Sequence, residues 1–156
     1  MADNGSLIAA AAETEKFTGQ SVDHLIINGA YTNPEENFMY PTEFSGKEDL
    51  LTSSMTQSLQ VNVIGVIFAI NAFLPLVRRS SIKKIIVIST GIADRDTAEI
   101  SKMPFFVVYG AMKAALNMVV VRYAAELRPE GVIVLALSPG LVDTSLDNPK
   151  KQVESK

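Results

Sequence analysis

Three short apolar runs, at 24–28, 84–89 and 132–137, constrain this chain more than any other feature. Each is rich in Ile, Val or Leu and stops at small or polar residues. Continuous runs of that length predict buried strands. Helical stretches separate them, which predicts a parallel sheet covered on both faces. Right-handed crossovers bring the C-terminal ends of such strands to one edge, where α/β sheets bind ligands. Asn28, Ser89, Thr90 and Ser138-Pro139-Gly140 all fall at those ends.

The intervening segments read as an Ala- and Glu-rich helix near Gly5–Lys16 and a loop rich in Asn, Pro and Glu through Gly46. A long helical region follows over about 48–78, broken near Gln57, then an irregular loop at 91–105 and a helix at 107–127. A chain of 156 residues, 47% apolar, is one domain's worth of core. We place the domain at 1–146 and read 147–156 as a polar tail.

Charge and composition remove several function classes. A net charge of −3 leaves no basic footprint for nucleic acid. No Cys and a single His speak against disulfides and a metal site, and fit a cytoplasmic protein. His24, beside the first strand, reads as a strand-edge or hydrogen-bonded histidine. Residues 59–77 are long and apolar enough to suggest a membrane span, but Gln60, Asn62 and Asn71 would need partners in lipid, and Pro75 breaks the end. A buried helix is the better expectation, with no membrane partner.

Chemistry concentrates at Tyr109-Gly110-Ala111-Met112-Lys113. Four residues is about one helical turn, so phenol and ammonium share a face. A cation beside a phenol favours the phenolate, so Tyr109 is expected to titrate below its free value and act as an acid or base. The pair becomes specific through the order of its surroundings. Asp23–Ala30 is followed by Val61-Asn62-Val63-Ile64-Gly65, Lys84–Gly91, the Tyr/Lys helix and Ser138–Thr144.

This succession resembles the short-chain dehydrogenase/reductase family from about Asp3 to Thr144. The resemblance implies an oxidoreductase that moves hydride between NADP or NAD and a small carbonyl compound or secondary alcohol. It makes Tyr109 the acid/base, and Lys113 the residue that tunes the phenol and bonds the nicotinamide ribose. Asn62 becomes a proton-relay residue, and Thr90 the substrate-orienting hydroxyl with Ser89 as the alternative. Asn28, Pro139, Gly140, Val142 and Thr144 match cofactor-binding positions, and Asp3 the acidic contact to adenine. It also implies a homo-oligomer through the 48–78 and 107–127 helices.

The sequence departs from the family in ways that matter. The family's first strand, its three-glycine phosphate turn and its next two strand–helix units have no counterpart before Asp23. Backbone N–H groups of that turn approach the pyrophosphate, so affinity for a dinucleotide should fall without it. Nothing beyond Thr144 matches the last helix and strand. The expectation is therefore a partial Rossmann-like doubly wound sheet, cut at both ends, with strands 24–28 and 132–137 as exposed edges and apolar faces losing their cover. A non-catalytic interaction module and an incomplete gene product are the alternatives.

Overall fold

The computed structural model describes residues 3–140 and residue 142. Thr144 and the expected polar tail lie outside the described residues.

Helix α1 spans Asn4–Phe17. The Asp3 carboxylate starts it, accepting from the Gly5 and Ser6 N–H groups at 3.1 Å each. Strand β1, His24–Ile27, follows, and His24 lies exposed at its start. Beyond the loop come α2 (Glu48–Leu59) and α3 (Gly65–Arg79). These are not separated by a break near Gln57. A single wide π turn, Gln60–Ile64, joins them into one continuous helix. Pro75 does not end α3, which runs four residues further. The proline only leaves the Asn71 carbonyl without its partner one turn on.

Strand β2 is Lys84–Ile88. The 91–105 segment is more ordered than a loop: α4 occupies Arg95–Ser101, with the Asp94 side chain accepting from the Thr97 N–H at 2.9 Å. Helix α5 (Val107–Leu127) and strand β3 (Ile133–Leu137) complete the described chain.

The strands form a parallel sheet in the order β1-β2-β3. Ile27, Ile85, Val87 and Val134 point to one face and pack with Ile70 and Val77 of α3 and with Leu116, Val120 and Leu127 of α5. Leu7 of α1 packs against the same cluster. The opposite face is open. Ile26, Ile86 and Leu135 sit side by side in register, and Ile26 and Ile133 remain 60% and 51% exposed. Cover on both faces, which the apolar runs alone predict, is thus absent among the described residues, whereas the reading of a cut sheet with faces losing their cover agrees with the open face. Two crossovers of one hand, stepping the same way along a sheet, put both helices on the same side. An apolar run records that a strand can be buried on two faces, not that both faces are covered here.

The 59–77 stretch becomes a core helix. Val66, Ala69, Ile70, Leu74 and Val77 are buried at helical spacing. Its polar residues find partners too: Asn62 bonds the Tyr31 backbone, and Asn71 accepts from the Tyr123 hydroxyl at 2.7 Å.

One buried group is out of balance. Glu36 is fully buried, and neither carboxylate oxygen has a hydrogen-bond partner. Burial pushes its pKa above the ordinary carboxylate value. A carboxyl whose pKa is raised by folding favours the native state at low pH, and that contribution is lost as pH rises through the folded value. Glu36→Gln should therefore raise unfolding stability in urea at neutral pH by about 1–3 kcal/mol, and flatten stability against pH above the ordinary carboxylate range. An unchanged pH profile would show that the carboxylate is already satisfied.

Candidate active site

The site is built where α5 meets the C-terminal end of β2. Four-residue spacing places Tyr109, Lys113 and Asn117 along one face of α5. Lys113 is buried, 2% exposed, and its ammonium donates to the Ile88 carbonyl at 2.8 Å. One turn on, Asn117 Oδ1 accepts from the Ser89 hydroxyl at 2.6 Å. One turn back, Tyr109 is half-buried, with Lys113 Nζ 5.8 Å from its ring centroid. The helix is fastened to the strand end at two successive turns, and the phenol stands at the third.

These contacts separate the two hydroxyls that the sequence left open. Ser89 is buried and held by Asn117. Thr90, the next residue, is extended and lines a hollow of about 340 Å³ with Gly91, Thr97, Ser138 and Gly140. The methyl that distinguishes Thr from Ser does not keep it out of the wall. Thr90 thus stands at the hollow, and Ser89 does not line it.

The electrostatics differ from the sequence expectation. Burial pushes the Tyr109 phenol up rather than down. The ammonium lies over the ring and is held by Ile88, so removal of water from the hydroxyl dominates. Burial likewise pushes Lys113 below its ordinary value. A phenol held neutral is a proton donor.

Asn62 sits on the π turn, fully buried. Its Oδ1 accepts from the Tyr31 N–H at 2.7 Å, and its Nδ2 donates to the Tyr31 carbonyl at 2.8 Å. This pair pins the chain leaving β1 to the α2–α3 helix. Asn28 is exposed just past β1, and Pro139, Gly140 and Val142 are exposed beyond β3, with Gly140 at φ +74°. Asp3 does not join this group in any contact, since both its oxygens cap α1. Thr144 lies outside the described residues. Among the described residues, no cluster of His, Asp or Glu could hold a metal ion.

Sequence reasoning missed Asn117 and Tyr31. Asn117 continues the four-residue stripe from Tyr109 and Lys113, and that spacing was a usable signal. Tyr31 contributes only backbone, which no side-chain pattern reveals.

The start of α5 is itself shaped. Phe106 precedes the helix in the left-handed region, φ 60° and ψ 38°, with its N–H donating to the Asn37 carbonyl at 2.8 Å. Its ring packs against Phe38 and Phe105, with centroids 5.2–5.6 Å apart.

A parallel sheet with polar side chains gathered at its strand C-terminal edge defines an α/β protein of the Rossmann kind. The chain belongs to the short-chain dehydrogenase/reductase family: the short chain dehydrogenase family model matches residues 1–155. It is 38% identical over 139 residues to the short-chain dehydrogenase/reductase iacC of Pestalotiopsis fici, covering 88% of this chain and 51% of that protein. It is 39% identical over 142 residues to the short-chain dehydrogenase/reductase atnB of an Arthrinium species, covering 91% and 53%. Its fold matches the RhlG/NADP active-site complex of Pseudomonas aeruginosa at TM-score 0.69 and 22% identity, covering 99% of this chain and 53% of that one. The chain spans about half the length of these relatives.

Asn62 yields a direct test of the scaffold. Asn62→Ala should lower unfolding stability in urea by about 2–4 kcal/mol, because the Tyr31 N–H and C=O both lose their partner. A loss under about 0.5 kcal/mol, the level of an ordinary surface change, would mean that the loop after β1 is held by something else.

Proposed function

We propose that this protein is an NAD(P)-dependent oxidoreductase acting on a small carbonyl compound or secondary alcohol, with Tyr109 as the acid/base. The observation that carries the reading is the anchoring of the Tyr109/Lys113 face of α5 on Ile88 at the end of β2, two residues before Thr90 at the wall of an open hollow. Family membership supports the same reaction class.

The nicotinamide group, when bound, supplies or accepts the hydride. In the reducing direction, the carbonyl carbon takes the hydride, the C=O π pair moves to oxygen, and that oxygen takes the Tyr109 proton. A phenol kept neutral by burial is in the right state to give it. The ammonium of Lys113 steadies the phenolate that results. The Thr90 hydroxyl, at the wall of the hollow, orients the carbonyl, and Asn62 holds the segment that borders the relay.

The residues present suit the nicotinamide end of the cofactor. Lys113 donates one hydrogen to Ile88 and has two more for ribose hydroxyls. Asn28, Pro139, Gly140 and Val142 would border that end. The three-glycine turn for the pyrophosphate is not in this sequence, and the chain is about half the length of its relatives. The reading covers NADP and NAD alike.

A homo-oligomer through the 48–78 and 107–127 helices belongs to the same proposal. Met118 and Val121, 56% and 57% exposed, lie on the outer side of α5, and Leu59 is exposed on α2. Sedimentation at micromolar concentration should give a mass above the monomer's; a monodisperse monomer would count against it. A cytoplasmic location fits the lack of Cys.

The reaction is tested by following loss of reduced cofactor with a carbonyl substrate. Tyr109→Phe should cut turnover by about 10²–10⁴-fold while leaving the circular dichroism spectrum unchanged. A variant that retains full turnover would remove Tyr109 from the chemistry.

A further inference from the structure

We infer that the substrate hollow beside Thr90 is shaped for an uncharged aromatic ketone, or the alcohol formed from it, and that it discriminates against keto acids of the same size. The inference rests on the hydride-transfer reading above and extends it to substrate class.

Two hollows of about 340 Å³ each adjoin along α4 and share Ile92, Ser101 and Met103. Among the described residues, no ionisable side chain lines either one. The charges of α4 are turned outward: Arg95 and Glu99 pair at 3.1 Å in solvent, and Asp96 is exposed. The hydroxyls on its inner side are occupied. Thr97 Oγ1 donates to Asp94 at 2.8 Å, and Ser101 Oγ to the Ala98 carbonyl at 3.0 Å. Lys113 is held by the Ile88 carbonyl and lines neither hollow, and Lys102, between the lining residues Ser101 and Met103, is exposed and is not among the lining residues. A carboxylate seated against these walls would meet no counter-charge among the described lining residues.

The far wall is aromatic. Phe105 and Phe106 line the second of the two hollows, which adjoins the one that Thr90 lines, and are braced by Phe38, at tilted and edge-on angles. Flat apolar rings beside a thioether, here Met103, favour a flat aromatic guest. The space suits a molecule of one or two fused rings, at the small end of ligand sites.

Gly91 keeps the Thr90 side open. A Cβ there would come within 3.4 Å of Thr97 Cγ2 and 4.0 Å of Ser138 Oγ, inside the hollow. Its φ is not in the left-handed region, so larger residues can take the backbone and fill the space.

The test is a binding titration, by calorimetry or saturation-transfer NMR, of 1-indanone and of 3-oxoindane-1-carboxylate. Both rings match, and only the charge differs. The ketone should bind at least tenfold more tightly than the carboxylate. Gly91→Val should weaken the ketone at least tenfold, and Met103→Lys should narrow or reverse the preference. Circular dichroism checks the fold of each variant, and Gly91→Ala, a smaller filling, serves if the valine variant unfolds. Equal or tighter binding of the carboxylate, or ketone binding indifferent to filling at Gly91, overturns the inference. Tyr109→Phe should keep ketone binding and lose turnover. Ketone binding that depends on Gly91, with no cofactor oxidation by the unaltered protein, would uphold the hollow and sink the hydride-transfer reading. Turnover with the carboxylate preferred would do the reverse.

Discussion

The bond from the Lys113 ammonium to the Ile88 carbonyl organises this molecule. A buried cation must be paired or hydrogen-bonded, or it destabilises the fold. Here its partner is the last carbonyl of the central strand, so the middle of α5 is tied to the end of β2. Asn117 repeats the tie one turn later through Ser89. With two points on one helix face fixed, the third point, Tyr109, has little freedom left. The same contact that settles the charge also aims the phenol.

Polar side chains elsewhere follow this pattern of holding backbone. Asn62 grips both backbone groups of Tyr31, so the π turn and the segment after β1 move as a unit. Asp3 and Asp94 each start a helix. The consequence is a division of labour at the site. Lys113, Asn117, Ser89 and Asn62 are committed to the scaffold, whereas the Tyr109 and Thr90 hydroxyls have no side-chain or backbone partner among the described contacts. Substitutions in the first group change geometry and stability together, and their effect on turnover cannot be read as chemistry alone.

Much of this was legible in the sequence, and the exceptions are instructive. The strands showed because their apolar runs are unbroken, and the Tyr/Lys turn showed because one helical turn is a fixed number of residues. That apolar sheet faces would lose cover was expected, but which face lies bare did not show, since the runs through Ile26, Ile86 and Leu135 look the same whether covered or bare. The Tyr109 shift had the wrong sign because spacing reports that the ammonium is near, but not that Ile88 holds it or that burial removes water from the phenol. Helix α4 was hidden by its charges, although Asp94 three residues before Thr97 is a start signal. Thr90 and Ser89 could be separated only by seeing what Ser89 touches.

The left-handed turn at Phe106 carries a last implication. A bulky residue there is strained by about 1–2 kcal/mol, and it is held by the Asn37 carbonyl and two neighbouring rings. Tyr109 begins three residues later, so the segment between β1 and α2 acts as a ruler for the helix that carries the phenol. Surface loops usually accept insertions freely. A residue gained or lost between Tyr31 and Asn37 would disturb the Asn37–Phe106 bond and the start of α5, while Lys113 and Asn117 keep the rest of the helix on β2.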